Sequence, residues 1–446
     1  MGTDLTDTKS AAWRFPATRP SLPEIHSTLT VPTDAGFFRK LLSFAGPGFL
    51  VAVGYMDPGN WATDLAGGSK YNYQLLSVIM LSNLMAVLLQ RLAIKLGVAT
   101  GRDLAQACRE HFSRPVSMVL WVLAEVAIAA CDLAEVIGSA IALNLLFHIP
   151  LLLGVCLTAL DVLLILFLQQ RGFRFIEAMV IALIGTIGVC FGLEVLFSRP
   201  SLLGIAHGFF VPSSQIVFDS GMLYIAISIL GATVMPHNLY LHSAIVQTRN
   251  YARNSAGKRD AIKFCTIDST VALTIALFVN AAILIVAAAT FYSHGMTEVA
   301  EINDAYRLLT PLLGVTGAST LFALALLASG QNSTLTGTLA GQVIMEGFLN
   351  IRVRPWLRRL ITRSLAIVPA VIVTAFWGES GTGRLLIFSQ VILSMQLSFA
   401  VFPLVMFTSD KRKMGEFVNS RPTIVLAWVV AVVILVLNGW LLLQAF

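Results

Sequence analysis

Two segments of the chain each place a proline inside a long apolar run: Gly54-Tyr55-Met56-Asp57-Pro58-Gly59-Asn60 and Ala232-Thr233-Val234-Met235-Pro236-His237-Asn238. Proline removes a backbone donor, and its ring clashes with the preceding helical turn, so a helix cannot pass through it undisturbed. Both segments share the form x-Pro-x-Asn. They predict two helices that are broken near the middle.

The composition indicates that these helices lie in a membrane. Hydrophobic residues make up 57% of the 446-residue chain and charged residues 12%, about half the charged share of a soluble domain. A soluble protein of this size would need more polar side chains to cover its surface. The chain is therefore predicted to be an all-α membrane protein.

The apolar runs that are bounded by charged residues, glycine and proline predict eleven transmembrane helices. They lie at 44–68, 74–97, 116–147, 150–169, 175–197, 222–246, 262–292, 315–346, 361–378, 384–408 and 423–445. One transmembrane domain is expected over residues 41–446. Residues 1–40 hold four prolines and mixed charges, and they predict a disordered cytosolic tail.

The basic residues orient the predicted helices. The formal charge is +6, and most of the loop lysines and arginines fall on alternate loops; these loops carry Arg102, Arg109, Arg114, Arg171, Arg174, Arg249, Arg253, Lys258, Arg259, Lys263, Arg352, Arg354, Arg358, Arg359, Arg363, Lys411, Arg412, Lys413 and Arg421. The opposite loops carry only Lys70, Arg199, Arg307 and Arg384. The positive-inside rule then predicts a cytoplasmic N-terminus and an extracytoplasmic C-terminus.

The two breaks occupy corresponding places in two halves of five helices, at about 41–200 and 218–408, with 423–445 as an extra helix. Because five is odd, the second half enters the membrane from the opposite side, and an inverted repeat results. Paired interruptions of this kind indicate a binding site near the middle of the membrane.

The side chains at the breaks suggest what binds there. Asp57 is a negative charge at mid-membrane, which needs a cation or a proton. Asn60 and the freed carbonyls around Ala232 add oxygen ligands, and Met235 adds a thioether that suits manganese, iron and heavier ions better than magnesium or calcium. The set predicts a divalent transition-metal site. The alternative is that both prolines are simple kinks and Met235 fills the core.

Asp57-Pro58-Gly59-Asn60 together with Met235-Pro236-His237-Asn238 resembles the Nramp family of proton-coupled divalent metal transporters, and especially its bacterial manganese-uptake members. The likeness runs from about residue 38 to the end and includes the segments 328–334 and 356–362. It implies a LeuT-like fold, metal ligation by Asp57, Asn60, the Ala232 carbonyl and Met235, and a state-dependent part for Gln390. Two positions depart from the family pattern: Cys131 replaces a usual Thr or Ser, and Ser398 a usual proline.

Glu125, Asp132 and Glu135 lie on one face of predicted helix 3, within about 80° of each other. Carboxylates facing lipid would be untenable, so they must line the interior. With the family resemblance, they predict a proton path from Asp57 towards the cytosol that ends at the basic residues Arg358 and Arg359, and His237 is expected to join it as a titrating or gating group. The alternative is a static buried ion-pair network.

These observations lead to the expectation of a secondary transporter in the plasma membrane of a bacterium, which imports Mn²⁺, and also Fe²⁺, with protons by alternating access. An amino acid and cation symporter of the same fold is the main alternative, although it gives Met235 no task. A membrane enzyme is not expected, because neither an HExxH motif nor a pair of catalytic aspartates on helices occurs. No cofactor, nucleic acid or obligate protein partner is expected, and the five scattered cysteines predict neither a disulfide nor a zinc site.

Overall fold

The computed structural model describes residues 13–15, 19–32, 35–160, 171–299, 301–351 and 381–445, together with 357, 361, 364, 367–372 and 375–376. The described residues are mainly helical. In chain order the helices are α1 (Phe37–Phe44), α2 (Pro47–Gly54), α3 (Pro58–Tyr71), α4 (Leu76–Thr100), α5 (Leu104–His111), α6 (Arg114–Phe147), α7 (Leu151–Leu157), α8 (Phe173–Ser198), α9 (Leu202–Phe210), α10 (Gln215–Phe218), α11 (Ser220–Thr233), α12 (Pro236–Ile245), α13 (Ser255–Thr290), α14 (Ile302–Leu313), α15 (Ala318–Leu349), α16 (Thr382–Ser409), α17 (Lys411–Met414) and α18 (Arg421–Ala445).

Both predicted breaks are present. The first predicted helix is divided into α2 and α3 by Tyr55–Asp57, and the sixth into α11 and α12 by Val234 and Met235. In each case the proline is the first residue of the second half-helix, where its missing N–H costs nothing and its fixed φ favours helix initiation. The prolines therefore start new helices rather than bend continuous ones.

Seven helical stretches of the described residues are long and apolar enough to cross a membrane, and the bent pair α1 and α2, which meet at 47°, makes an eighth candidate. The predicted helices at 150–169 and 361–378 each fall partly outside the described residues. The all-α membrane fold is confirmed, whereas the count of eleven stays a prediction.

The core surrounds the two broken helices. α13 packs against α2, α3 and α4, while α6 packs along α15 and α16. α16 runs unbroken past Ser398, whose hydroxyl accepts a hydrogen bond from Asn438 Nδ2 at 3.2 Å. The position that lacks the family's usual proline thus ties α16 to the extra helix α18.

The described part of the predicted disordered tail over 1–40 packs against the rest of the protein. Trp13 and Leu22 are buried, and Leu29–Thr30 pairs in parallel with Arg249–Asn250 as a two-residue β-bridge. Ser21 Oγ donates to Asp103 at 2.7 Å, and the Leu22 N–H donates to Glu346 at 2.9 Å. The segment is ordered because its few apolar side chains and backbone donors find partners on the rest of the protein.

The start of α2 is fixed by buried charges. Asp268 of α13 accepts hydrogen bonds from the N–H groups of Gly46 and Gly48, at 3.2 Å and 2.7 Å. Arg249, which is fully buried, pairs with Glu177 at 2.6 Å. Arg249 falls in a predicted loop, yet it lies inside the protein, where breaking a charge pair is costly.

Candidate functional site

Asp57 and Asn60 form the first half of the site because α3 begins between them. Asp57 is the N-cap of α3, and its Oδ1 accepts a hydrogen bond from the Asn60 N–H at 2.8 Å. This is the usual way in which a side-chain oxygen satisfies a free donor at a helix start. The Asn60 Nδ2 also donates to the same oxygen, at 2.6 Å.

The second half of the site is joined to the first directly. Asn60 Nδ2 donates to the Ala232 carbonyl at 3.1 Å, and this carbonyl lies at the end of α11. Met235 is the N-cap residue of α12, and its Sδ lies 3.2 Å from the point where a Cβ on Gly54 would stand. Asp57, Ala232 and Met235 have no solvent exposure, and Asn60 has 1%. The four predicted ligands are therefore buried where the two breaks meet, in a centre closed to solvent.

Two residues that the sequence analysis assigned no role hold the unwound backbone of the first break. Asn280 Nδ2 of α13 donates to the Tyr55 carbonyl at 2.7 Å, and Ser329 Oγ of α15 donates to the Met56 carbonyl at 2.5 Å. Trp61 Nε1 also donates to Met56 O, at 3.2 Å. A lone asparagine in an apolar membrane helix was the available signal for Asn280, because such amides bond across helices.

Several buried oxygens around the breaks lack a hydrogen-bond partner within the part of the chain that the structure describes. They are Asp57 Oδ2, Thr233 Oγ1, Asn238 Oδ1, Asn280 Oδ1 and Gln390 Oε1. Leaving a buried acceptor unsatisfied costs about 1–3 kcal/mol. A group of such acceptors on and beside the two breaks is suited to a cation.

Gln390 reaches this centre from α16. It is fully buried, and its Nε2 lies 1.7 Å from the point where a Cβ on Gly59 would stand. The Gln390 side chain therefore occupies the space that Gly59 leaves open. Gly59 lies between Asp57 and Asn60 in the sequence, so Gln390 lies beside the first break. Its predicted place at the site agrees with this geometry, while a ligand role stays a prediction.

The predicted proton-path residues begin beside Met235. Met235 packs in one apolar cluster with Cys131 of α6, and Cys131 Sγ lies 3.7 Å from Glu135 Oε1 and 3.8 Å from His237 Nε2. Cys131, whose role the sequence analysis did not foresee, thus links the second break to the α6 carboxylates.

The path continues along α6. Glu135 Oε1 and Asp132 Oδ1 lie 2.8 Å and 3.4 Å from the point where a Cβ on Gly337 of α15 would stand, so both acids face this helix. Glu125 lies nearer the start of α6, is half-buried and accepts a hydrogen bond from Trp121 at 3.1 Å. Arg358 and Arg359, the predicted end of the path, lie outside the described residues.

No cluster of three or more His, Cys, Asp and Glu side chains that could hold a metal ion occurs among the described residues. All five cysteines are free thiols. The centre at the breaks instead combines one carboxylate with amide, carbonyl and thioether groups, which are not the ligands of a zinc-type cage.

A family model described as natural resistance-associated macrophage protein-like, Nramp, matches residues 48–444. The chain belongs to the Nramp family. A divalent metal cation transporter MntH of Listeria monocytogenes is 64% identical over 442 residues, which cover 99% of this chain and 98% of that protein. The predicted family is thereby confirmed. The relatives are named as transporters, which confirms the prediction that this Nramp protein is not an enzyme.

Solved structures of other proteins show the same architecture. The manganese transporter of Eremococcus coleocola, crystallised with an aromatic bis-isothiourea compound, is 44% identical with a TM-score of 0.88, covering 94% of this chain and 90% of that one. Mhp1, a nucleobase-cation-symport-1 family transporter, is 17% identical with a TM-score of 0.60 and coverage of 84% and 82%. The second likeness shows the fold alone, and the predicted LeuT-like arrangement of this Nramp protein is confirmed.

Proposed function

We propose that this Nramp protein imports divalent transition-metal ions, Mn²⁺ and also Fe²⁺, together with protons by alternating access. The contact of Asn60 with both Asp57 and the Ala232 carbonyl carries the proposal, because it unites the two breaks. The names of the relatives, a divalent metal cation transporter and a manganese transporter, support it.

The proposed ligands of the transported ion are Asp57, Asn60, the Ala232 carbonyl and Met235, with Gln390 joining in some states. The carboxylate neutralises part of the charge of the ion. The neutral oxygens replace part of its water shell. The thioether favours manganese and iron over magnesium and calcium, for which sulfur is a poor ligand.

Alternating access requires the closed centre to open on each side in turn. On the side predicted to be cytosolic, α2 is the element proposed to move, since it ends at the break and polar contacts that can be broken hold its start. The Asp268 hydrogen bonds to the backbone at Gly46 and Gly48 and the Arg249–Glu177 pair would have to loosen in that step.

Protons are proposed to leave the centre through α6. The order is Asp57, then the cluster of Cys131, His237 and Glu135, then Asp132 and Glu125, with Arg358 and Arg359 at the end. The spacing of Cys131 to Glu135 and to His237, at 3.7 Å and 3.8 Å, supports transfer within this cluster. Met235 touches the same cluster, so metal binding and proton movement would meet there.

The proposed location is the plasma membrane of a bacterium, with the N-terminus in the cytoplasm and the C-terminus outside. The charge bias of the loops supports this orientation. No observation favours the amino acid symporter, because the centre contains a fully buried thioether and an amino acid substrate gives that group no task.

Proteoliposomes loaded with a metal-sensitive and a pH-sensitive dye test the proposal. External Mn²⁺ or Fe²⁺ should enter and acidify the lumen, an inward proton gradient should drive accumulation above equilibrium, and Ca²⁺ or an amino acid should do neither. Uptake that never exceeds equilibrium would indicate a channel and contradict the proposal.

A further inference from the structure

A cavity with charged lining lies between α4, α13 and the turn that precedes α18, and none of its lining residues belongs to the metal centre. Its volume is about 690 Å³. Four basic side chains and one carboxylate line it among the described residues: Arg91, Lys95, Arg259, Lys263 and Glu416. The cavity therefore has an excess of positive charge, which the proposed transport does not use.

The basic residues are arranged as two like-charged pairs. Arg91 and Lys95 are four residues apart on α4, and Arg259 and Lys263 are four residues apart on α13. Like charges at this spacing repel each other on a helix. Two such pairs facing one cavity are tolerable when an anion lies between them.

Among the described residues, the protein's own carboxylates neutralise only one of these four cations. Glu416 pairs with Arg259 at 2.8 Å, whereas Lys95 donates to the neutral Asn419 at 2.6 Å and Lys263 lies over the Phe264 ring. Arg91 is exposed on the surface of a membrane-spanning helix. Within the described part of the chain, three of the four cations have no carboxylate partner.

A hydroxyl in the cavity also lacks a partner. Thr266 Oγ1 of α13 is closed to solvent and makes no hydrogen bond to any described residue. It lies one turn beyond Ile262 and next to Ile267, which form the apolar wall of the cavity. Thr266 lines the cavity, so rotation about its Cα–Cβ bond would turn the hydroxyl towards a phosphate oxygen between the two basic pairs.

The surroundings favour a lipid over a soluble anion. On α4, exposed Leu84 precedes Arg91 by two helical turns, and on α13, exposed Val271 and Phe278 follow Ile267 on the same face. Apolar stripes that face lipid therefore lead from both helices to the cavity. Arginine and lysine side chains near the ends of membrane helices extend to the headgroup layer, where phosphates are found.

We propose that this cavity binds an anionic phospholipid, with its phosphate between the two basic pairs and its acyl chains along the apolar stripes of α4 and α13. The site is separate from the metal centre and goes beyond the proposed transport function. Phosphatidylglycerol is the simplest probe of this class, and phosphatidylcholine is its neutral counterpart.

Native mass spectrometry of the full chain in detergent, titrated with dioleoyl phosphatidylglycerol, tests the site. The wild-type protein should bind one molecule of dioleoyl phosphatidylglycerol, at least tenfold more tightly than it binds dioleoyl phosphatidylcholine. Arg91→Gln/Lys263→Gln should weaken phosphatidylglycerol at least tenfold. Arg114→Gln/Lys411→Gln, which removes the same charge from exposed positions outside the cavity, should bind as wild type does.

Thr266→Val keeps the shape of the side chain and removes only the hydroxyl, so it should fold normally and weaken phosphatidylglycerol several-fold. Equal losses in the two double variants, or unchanged binding in Thr266→Val, would overturn the proposal. Equal binding of phosphatidylcholine would do so too. Millimolar inorganic phosphate that displaces the lipid would identify a soluble-anion site instead and also overturn it.

Discussion

Met235 is the only sulfur among the proposed metal ligands, and its surroundings hold it at the break. It packs with Ala127, Cys131 and Leu393 and has no solvent exposure. Its position as the N-cap of α12 places the thioether towards the first break at Gly54. Selectivity between soft and hard ions should therefore depend on this one atom.

Replacing Met235 with Ala should leave Mn²⁺ uptake measurable but make competition by Ca²⁺ much stronger. The smaller side chain leaves room for a water molecule, whose oxygen suits the hard ion. A tenfold change in relative affinity corresponds to about 1.4 kcal/mol. Mn²⁺ uptake against rising Ca²⁺ measures the change, with Met56→Ala, the loss of a buried methionine at the other break, as the control. Parallel competition curves for wild type and Met235→Ala would show that Met235 only fills space.

Transport should also be sensitive to a larger side chain at Gly54, for a steric reason. A Cβ there would stand 2.3 Å from Asn238 Nδ2 and 3.2 Å from Met235 Sδ, so the groups of the second break would have to move. Gly54→Ala is expected to lower Mn²⁺ uptake by at least tenfold per folded transporter. Gly185→Ala is the control, because no atom lies within 4 Å of its Cβ position. Equal uptake by the two variants would contradict the close contact.

At the scale of elements, α6 connects the metal centre to its acids. Its inner face carries Cys131 against His237, and Asp132 and Glu135 against α15. The sequence predicted the acidic face from its spacing, since carboxylates in an apolar helix must face inward. It could not predict the thiol beside the histidine, because that contact depends on how α6 and α12 pack.

Asp132→Asn should reduce proton influx during Mn²⁺ uptake while leaving Mn²⁺ binding nearly unchanged. The amide keeps the shape of the side chain but cannot carry the proton in the same way. Dye-reported acidification and Mn²⁺ titration of the same sample measure the two properties. Glu194→Gln is the matched control, because Glu194 is a buried acid on α8 with no assigned role. Unchanged acidification in a folded Asp132→Asn variant would mean that the α6 acids are structural.

The short helix α5 offers a prediction about pH. Burial raises the pKa of Asp103 from 3.8 to about 6, against the effect of its hydrogen bonds from Gln106 N and Ser21 Oγ. Because the folded state favours protonated Asp103, the protonated carboxyl contributes to the free energy of unfolding. This contribution is complete below about pH 4 and is lost as the pH rises through 6. The full difference is at most about 3 kcal/mol.

Asp103→Asn should therefore unfold at a higher temperature than wild type at pH 7, with the gap closing as the pH falls to 4. Asparagine retains a side-chain oxygen for the N-cap. Thermal unfolding in detergent across this pH range measures the gap. Asp260→Asn, at a partly exposed acid, controls for the loss of one charge. A gap that is constant with pH would show that Asp103 is not the titrating group.

At the scale of the whole molecule, the fold follows from features that are local in sequence. The prolines at 58 and 236 start new half-helices, and their symmetric positions give the paired breaks. The packed N-terminal segment could not be predicted, because four prolines and mixed charges over 1–40 are also typical of a disordered tail. Trp13, Leu22 and Val31 were the apolar signals in it, and only the folded protein provides their partners.

The site shows the same division. The position of Asp57, Asn60, Ala232 and Met235 at the breaks was predictable from the prolines, while their ligand role stays a prediction. Asn280 and Ser329, which bind the freed carbonyls of Tyr55 and Met56, lie on distant helices. Their role depends on packing between helices that are far apart in sequence. For the same reason the buried Arg249–Glu177 pair could not be distinguished from ordinary loop charges.

The central claim is that a metal ion binds at Asp57 between the two breaks, and Asp57→Asn tests it most directly. Asp64→Asn is the matched control: it makes the same change at a buried acid on α3, two helical turns away. Mn²⁺ uptake into proteoliposomes should fall to about the level of empty vesicles for Asp57→Asn, by at least ~100-fold, which corresponds to about 2.7 kcal/mol. Asp64→Asn should keep most of the wild-type rate. Near-normal Mn²⁺ uptake by folded Asp57→Asn, or equal loss in both variants, would contradict the placement of the metal site at the breaks.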